Sequence, residues 1–151
     1  FLTELSHKVY EHNPKYPIYK FYLESLLKIE ANFDPLVITN ILELKYLECL
    51  GIKPVVDHCV SCGSTSDIVT ISSYKGGYLC KNCLENEAIV TDKTVKLIRM
   101  FYYVDISKIT KLEISPNIKK EINKFIEDYY DRYSGLYLKS RNFINTLNKI
   151  S

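Results

Sequence analysis

Four cysteines stand as two close pairs, Cys59-Val60-Ser61-Cys62 and Cys80-Lys81-Asn82-Cys83, with 17 residues between them. Two cysteines flanking a tight knuckle aim both sulfurs at one point, and two knuckles brought together by a hairpin make a tetrahedral thiolate site. That donor set suits a single structural Zn2+. Gly63 follows the first pair, where a knuckle calls for a positive φ. Disulfides, or iron held as in rubredoxin, would use the same sulfurs. Disulfides fit less well, because the chain has five cysteines and its first residues lack the pattern of a secretory leader. Four thiolates leave the metal no open position for water or substrate, which predicts a structural role and no catalysis. His58, beside Cys59, is a spare ligand that four cysteines make unnecessary. Cys49, next to Leu50 in an apolar run, reads as a small buried hydrophobe.

No other constellation points to chemistry. The chain has no GxxxxGK[ST] phosphate loop, no GxSxG elbow and no HExxH zinc motif. His7 and His12 do not share a helical face and read as surface residues. The remaining candidates for a functional role are cations. Residues 1–55 sum to −1, residues 56–90 to −2 and residues 91–151 to +5. The basic last third suits either a polyanionic partner or a solvated helix face. Arg141 is the leading candidate for bidentate recognition of a carboxylate or phosphate, with Lys139 beside it. Arg99 and Arg132 follow, and Arg132 has Asp128 one turn away as an alternative ion-pair partner. The cysteine segment is a poor phosphate ligand: a Zn2+ on four thiolates would bring its charge to −4. The thirteen tyrosines could stack bases, but Tyr129 and Tyr133 repeat at helical spacing, and core packing is the expected role.

The elements that must position these residues are mostly helices. Leu2, Leu5 and Val9 open one stripe, and Asn13-Pro14 through Pro17 interrupts it. Ile18, Phe21, Tyr22, Leu26 and Ile29 form the next. Asp34-Pro35 is an N-cap with first-turn proline before Ile38, Ile41, Leu42, Leu44, Leu47 and Leu50. Gly51 and Pro54 stop that helix. Ile68–Ile71 and Tyr78-Leu79 flank the turn Lys75-Gly76-Gly77 and predict a short hairpin between the cysteine pairs. Thr91 and Ser115-Pro116 cap two further helices, lined by Val95, Ile98, Phe101 and Tyr102 and by Ile118, Ile122, Phe125, Ile126, Tyr129 and Tyr133. Gly135 kinks or ends the second of these, and Phe143 with Leu147 predicts a last helical stretch. The expected fold is mainly α: a helical bundle in two parts, residues 1–55 and 91–151, with a four-cysteine, zinc-ribbon-like β-hairpin insert at 56–90. A segment of that size is too small to bury much surface of its own, so a metal or disulfides must help hold it. No apolar run reaches the roughly 18 residues that span a bilayer, so a cytoplasmic protein without membrane contact is expected. The chain opens on Phe1 inside a helix, as a piece of a longer protein would.

The order of these features resembles one family. The run Leu44-Lys45-Tyr46-Leu47-Glu48-Cys49-Leu50-Gly51, then Ile52-Lys53-Pro54 and Cys59-Val60-Ser61-Cys62-Gly63, is similar to the centre of RecO, the bacterial DNA repair and recombination mediator. Tyr74 through Cys83 resembles that family's GG-x-x-C-x-x-C return, and Leu138-Lys139-Ser140-Arg141 with Phe143 its LKSR-x-F close. The resemblance implies binding of single- and double-stranded DNA, strand annealing and contact with the acidic tail of single-stranded DNA-binding protein. It also implies work with RecR to load RecA, in the cytoplasm at the nucleoid, with no small-molecule substrate. The family's N-terminal OB-fold domain has no counterpart in this sequence. A zinc-ribbon transcription or translation factor is the alternative from another class.

Overall fold

A computed structural model of the chain describes residues 1–136. Among the described residues five helices carry the fold: α1 (Leu2–His12), α2 (Ile18–Glu30), α3 (Pro35–Cys49), α4 (Asp92–Tyr103) and α5 (Pro116–Tyr133). Between α3 and α4 lies one antiparallel hairpin, β1 (Ile68–Ser72) with β2 (Gly77–Cys80). It is a mainly α bundle with a small β insert, as the periodicity implies.

α3 is the axis. Its start is built as the sequence predicts: the Asp34 carboxylate accepts from the Leu36 backbone N–H at 2.9 Å and Pro35 opens the first turn. Ile38, Ile41, Leu42, Leu44, Tyr46 and Leu47 are fully buried, so nearly the whole circumference of the helix is covered. The other helices supply that cover. Leu5 and Val9 come from α1, Ile98 and Phe101 from α4, and Ile122 and Ile126 from α5.

Tyrosine hydroxyls then pin helix to helix. Tyr46 on α3 meets the Ser6 hydroxyl of α1 at 2.7 Å, and Tyr130 on α5 donates to the Glu43 carbonyl of α3 at 2.5 Å. Tyr129 donates to the Ile52 carbonyl at 2.6 Å. Each bond satisfies a phenol that packing has taken from water. Packing is thus the role of these tyrosines.

Three details go beyond the stripes and caps read from the sequence. The α2 stripe is not a buried face: only Ile18 of it is fully covered, Phe21, Tyr22 and Ile29 are half-covered, and Leu26 is exposed beside Leu23 and Leu27. α2 is the outer helix, held against α1, α3 and the turn at Ile106–Lys108, where Lys28 Nζ donates to the Ile109 carbonyl at 2.7 Å. Thr91 precedes α4 as its cap by position, yet its hydroxyl donates to Glu121 Oε1 of α5 at 2.7 Å. Tyr133 lies on the rim, 36% exposed, and Tyr130 takes the buried place. α5 ends at Tyr133, with Ser134 as its cap and Gly135 just beyond. The stretch with Phe143 and Leu147 lies outside the described residues.

Candidate metal centre

The hairpin brings the two knuckles together. Ile68 pairs with Cys80, Thr70 with Leu79, Ile71 with Tyr78 and Ser72 with Gly77, with a bulge at Val69. The first knuckle is hydrogen-bonded to β2 through Val60 N–H and the Tyr78 carbonyl at 2.8 Å. Within it, Cys59 N–H reaches the Ser64 carbonyl at 2.7 Å and Gly63 N–H the Cys59 carbonyl at 2.9 Å. Gly63 has φ +79, the left-handed conformation the sequence predicts there. The second knuckle leaves β2 through a 3-10 turn at Lys81–Cys83.

The four sulfurs of Cys59, Cys62, Cys80 and Cys83 lie within 4.8 Å of one another, and Cys62 Sγ and Cys80 Sγ are 3.6 Å apart. A tetrahedron with Zn–S bonds of about 2.3 Å has edges of about 3.8 Å, so the spacing is that of one metal's ligands and not of bonded disulfides. Electrostatics agree with the geometry. Burial works against ionising Cys59, but backbone N–H groups of Cys80, Cys62 and Ser61 aim at its sulfur and bring its pKa down to about 6. Contact with Cys62 and Cys80 pushes Cys83 up to about 12. Close sulfurs resist a full set of thiolates, and a bound cation would relieve that repulsion. The local core makes the same point. Only Cys59, Leu79 and Cys80 form it, with Val60, Ile68 and Cys83 at its margin. So few side chains need a further bond to hold them. The residues fit a metal ion.

The neighbouring candidates fall away. His58 Nδ1 sits 3.0 Å from the Cys59 carbonyl, and the His7 ring pairs with Glu11 at 3.0 Å on the surface of α1. Cys49 is buried, and its surroundings push its thiol up to about 11.

How the insert joins the bundle was not legible in the sequence. Val55, just after α3, forms a parallel bridge to Gly77, with Val55 N–H on the Gly76 carbonyl at 2.9 Å and Tyr78 N–H on the Val55 carbonyl at 2.8 Å. From the bundle side, Tyr78 donates its hydroxyl to the Val95 carbonyl of α4, and Tyr133 donates to the Ser73 carbonyl at 2.5 Å.

The two predicted cations among the described residues have different neighbours. Arg99 sits on α4, its guanidinium 5.3 Å from the Tyr103 ring centre and 3.2 Å from Asp57. Arg132, near the end of α5, lies 5.2 Å from the ring centre of exposed Tyr74, while Asp128 pairs with Lys124 at 3.0 Å. The expected Asp128–Arg132 pair is therefore replaced, because the hairpin tip offers Arg132 an aromatic face. Lys139 and Arg141 lie outside the described residues. On α4 a shallow groove of about 470 Å³ is lined by Lys96, Arg99, Met100, Tyr103 and Val104. Lys53 stands over its edge, 5.9 Å from the Tyr103 ring centre.

Fold and site together define a mainly helical protein whose small β insert carries a four-cysteine cluster able to hold a metal ion. Comparison with known proteins places it further. A family model described as "Recombination protein O C terminal" matches residues 1–142, and the chain belongs to that family. It is 36% identical over 151 residues to the DNA repair protein RecO of Halalkalibacterium halodurans, covering 97% of this chain and 59% of that protein. With the DNA repair protein RecO of Bacillus subtilis it shares 35% over 140 residues, 91% of this chain and 55% of the relative. With that of Listeria monocytogenes it shares 33% over 153 residues, 99% and 60%. The chain thus spans between 55% and 60% of the length of these relatives. No solved structure matches it. Among the described residues no helix is long and apolar enough to cross a membrane.

Proposed function

We propose that this chain is the helical part of a DNA repair and homologous-recombination mediator, acting by binding and not by catalysis, with one Zn2+ stapling residues 56–90 to the bundle. The observation that carries the reading is the family match over residues 1–142. Cys59, Cys62, Cys80 and Cys83 would hold the metal, and the closed thiolate set leaves it no catalytic position. Bound zinc would supply only the cross-link between the knuckles.

The partners proposed for the chain are the acidic tail of single-stranded DNA-binding protein, RecR and, through them, RecA loading, with DNA contacts and strand annealing as the outcome. The α4 groove suits the tail. Met100 and Tyr103 offer it an exposed apolar floor, and Arg99, Lys96 and Lys53 surround that floor with positive charge. An acidic peptide with apolar side chains finds both of its needs there. For DNA, Arg132 on Tyr74, Arg99 and the basic positions Lys139 and Arg141 are the proposed phosphate contacts. The negative charge of the insert argues against phosphate binding by the knuckles themselves, and against a zinc-ribbon transcription or translation factor.

The test is a titration of labelled acidic-tail peptide against the zinc-loaded protein. Saturable binding, weakened about tenfold by Arg99→Ala, is expected, since a charge-assisted hydrogen bond is lost. Absence of binding, or equal affinity for the variant, would remove the groove from the account.

A further inference from the structure

The donors that face the α4 groove are already engaged by a carboxylate from the chain itself. Asp57 lies in the segment leading to the first knuckle, two residues before Cys59, and reaches across to α4. Its Oδ1 accepts from Arg99 Nη2 at 3.2 Å and Nε at 3.3 Å. The Tyr103 hydroxyl lies 3.0 Å from Oδ1 and 2.8 Å from Oδ2 and donates to them. One carboxylate thus meets a guanidinium edge and a phenol on the rim of an apolar groove, the arrangement a peptide carboxylate would adopt there.

We propose that Asp57 is an internal competitor for this groove, a latch whose carboxylate must leave Arg99 and Tyr103 before an acidic peptide can take them. The proposal rests on the tail-binding reading of the groove given above. Exposure makes the exchange feasible. The Asp57 and Arg99 side chains are 45% and 57% exposed, so water screens the pair and replaces its bonds as it opens. A fully buried pair would not open so cheaply. The latch has two effects on an incoming peptide. It occupies the donors, and its own negative charge repels the peptide's carboxylates until it moves away. It also lies on the chain segment that enters the metal knuckle, so peptide binding and the seating of the insert against α4 share one contact.

The experiment compares the zinc-loaded wild-type chain with Asp57→Asn, an isosteric change that keeps a carbonyl to accept from Tyr103. Acidic-tail peptide is titrated against both, alongside the same peptide with its carboxylates converted to amides. The latch predicts that Asp57→Asn binds the acidic peptide about three- to fivefold tighter, the scale of one exposed ion pair, and the amidated peptide within about twofold of wild type. Equal or weaker binding of the acidic peptide by Asp57→Asn overturns the latch while leaving the groove reading in place, provided the wild type binds. A gain that persists with the amidated peptide overturns it too. If neither protein binds the acidic peptide, the groove reading fails and takes the latch with it. A second measurement needs no variant: the carboxyl 13C resonance of Asp57 in the wild type should move as peptide saturates the protein. A resonance that stays fixed at saturation shows that Asp57 is never displaced.

Discussion

At the scale of single residues, long-range polar contacts decide what each candidate does. The Glu121 carboxylate accepts from the Thr91 backbone at 3.2 Å, the Thr91 hydroxyl at 2.7 Å and the Thr94 hydroxyl at 2.9 Å. Burial alone would raise its pKa, but these bonds hold it below the ordinary 4.5. The sign follows from linkage. A carboxyl depressed in the folded state adds stability that is fully present above its unfolded pKa and is lost as pH falls through the folded value. Glu121→Gln should therefore flatten the acid limb of a stability–pH curve below about pH 4.5 and matter most at neutral pH. Denaturant melts of the two proteins across the acid range up to neutrality measure it, and parallel curves would count against it. The cysteines were legible because two knuckles advertise themselves within four residues each. Asp57 with Arg99, 42 positions apart, carries no such local signature. Nor does the hydroxyl of Thr91, which reads as a cap until α5 places a carboxylate beside it.

At the scale of elements, the hairpin depends on one close approach. A Cβ built on Gly77 would collide with the Val55 carbonyl oxygen and stand 2.8 Å from the Val55 nitrogen, backbone atoms that cannot swing aside. Gly77→Ala is expected to break the Val55 bridge and destabilise the chain by about 1–3 kcal/mol, the usual range for overpacking. Hydrogen exchange at the Tyr78 amide, which bonds the Val55 carbonyl, would locate the damage; unchanged protection would refute it. Proline and capping chemistry made α3 and α5 readable before any contact was known: Asp34-Pro35 and Ser115-Pro116 both open their helices, and both side chains accept from the first turn. The exposure of α2 was not readable, because periodicity reports an apolar stripe without reporting what covers it. Leu23 and Leu27 are 56% and 54% exposed, and the helix lies at the edge of the bundle.

At the scale of the whole molecule, the proposal divides labour: helices would carry the binding surface, and a bound metal would hold the insert in place beside it. The large core runs through all five helices and takes in Val56, Ile71 and Tyr78 from the insert, whereas the knuckles keep only a small cluster of their own. Cys80→Ser should consequently lower metal content well below one per chain and melt the insert first, with α3 and its neighbours still folded. Circular dichroism and elemental analysis would show this, and full metal content with an unchanged melt would contradict it. Family membership was readable from the order of motifs, because spacing and turn residues survive in sequence. The proposed docking groove was not readable, because Lys53 and Asp57 reach its α4 residues from a distant loop. The claim on which the division of labour stands is the closed four-sulfur centre. X-ray absorption at the zinc edge of the purified chain tests it most directly. The account predicts one zinc per chain with a single sulfur shell of four ligands at about 2.3 Å; a nitrogen or oxygen ligand in that shell, or no bound zinc, would contradict it.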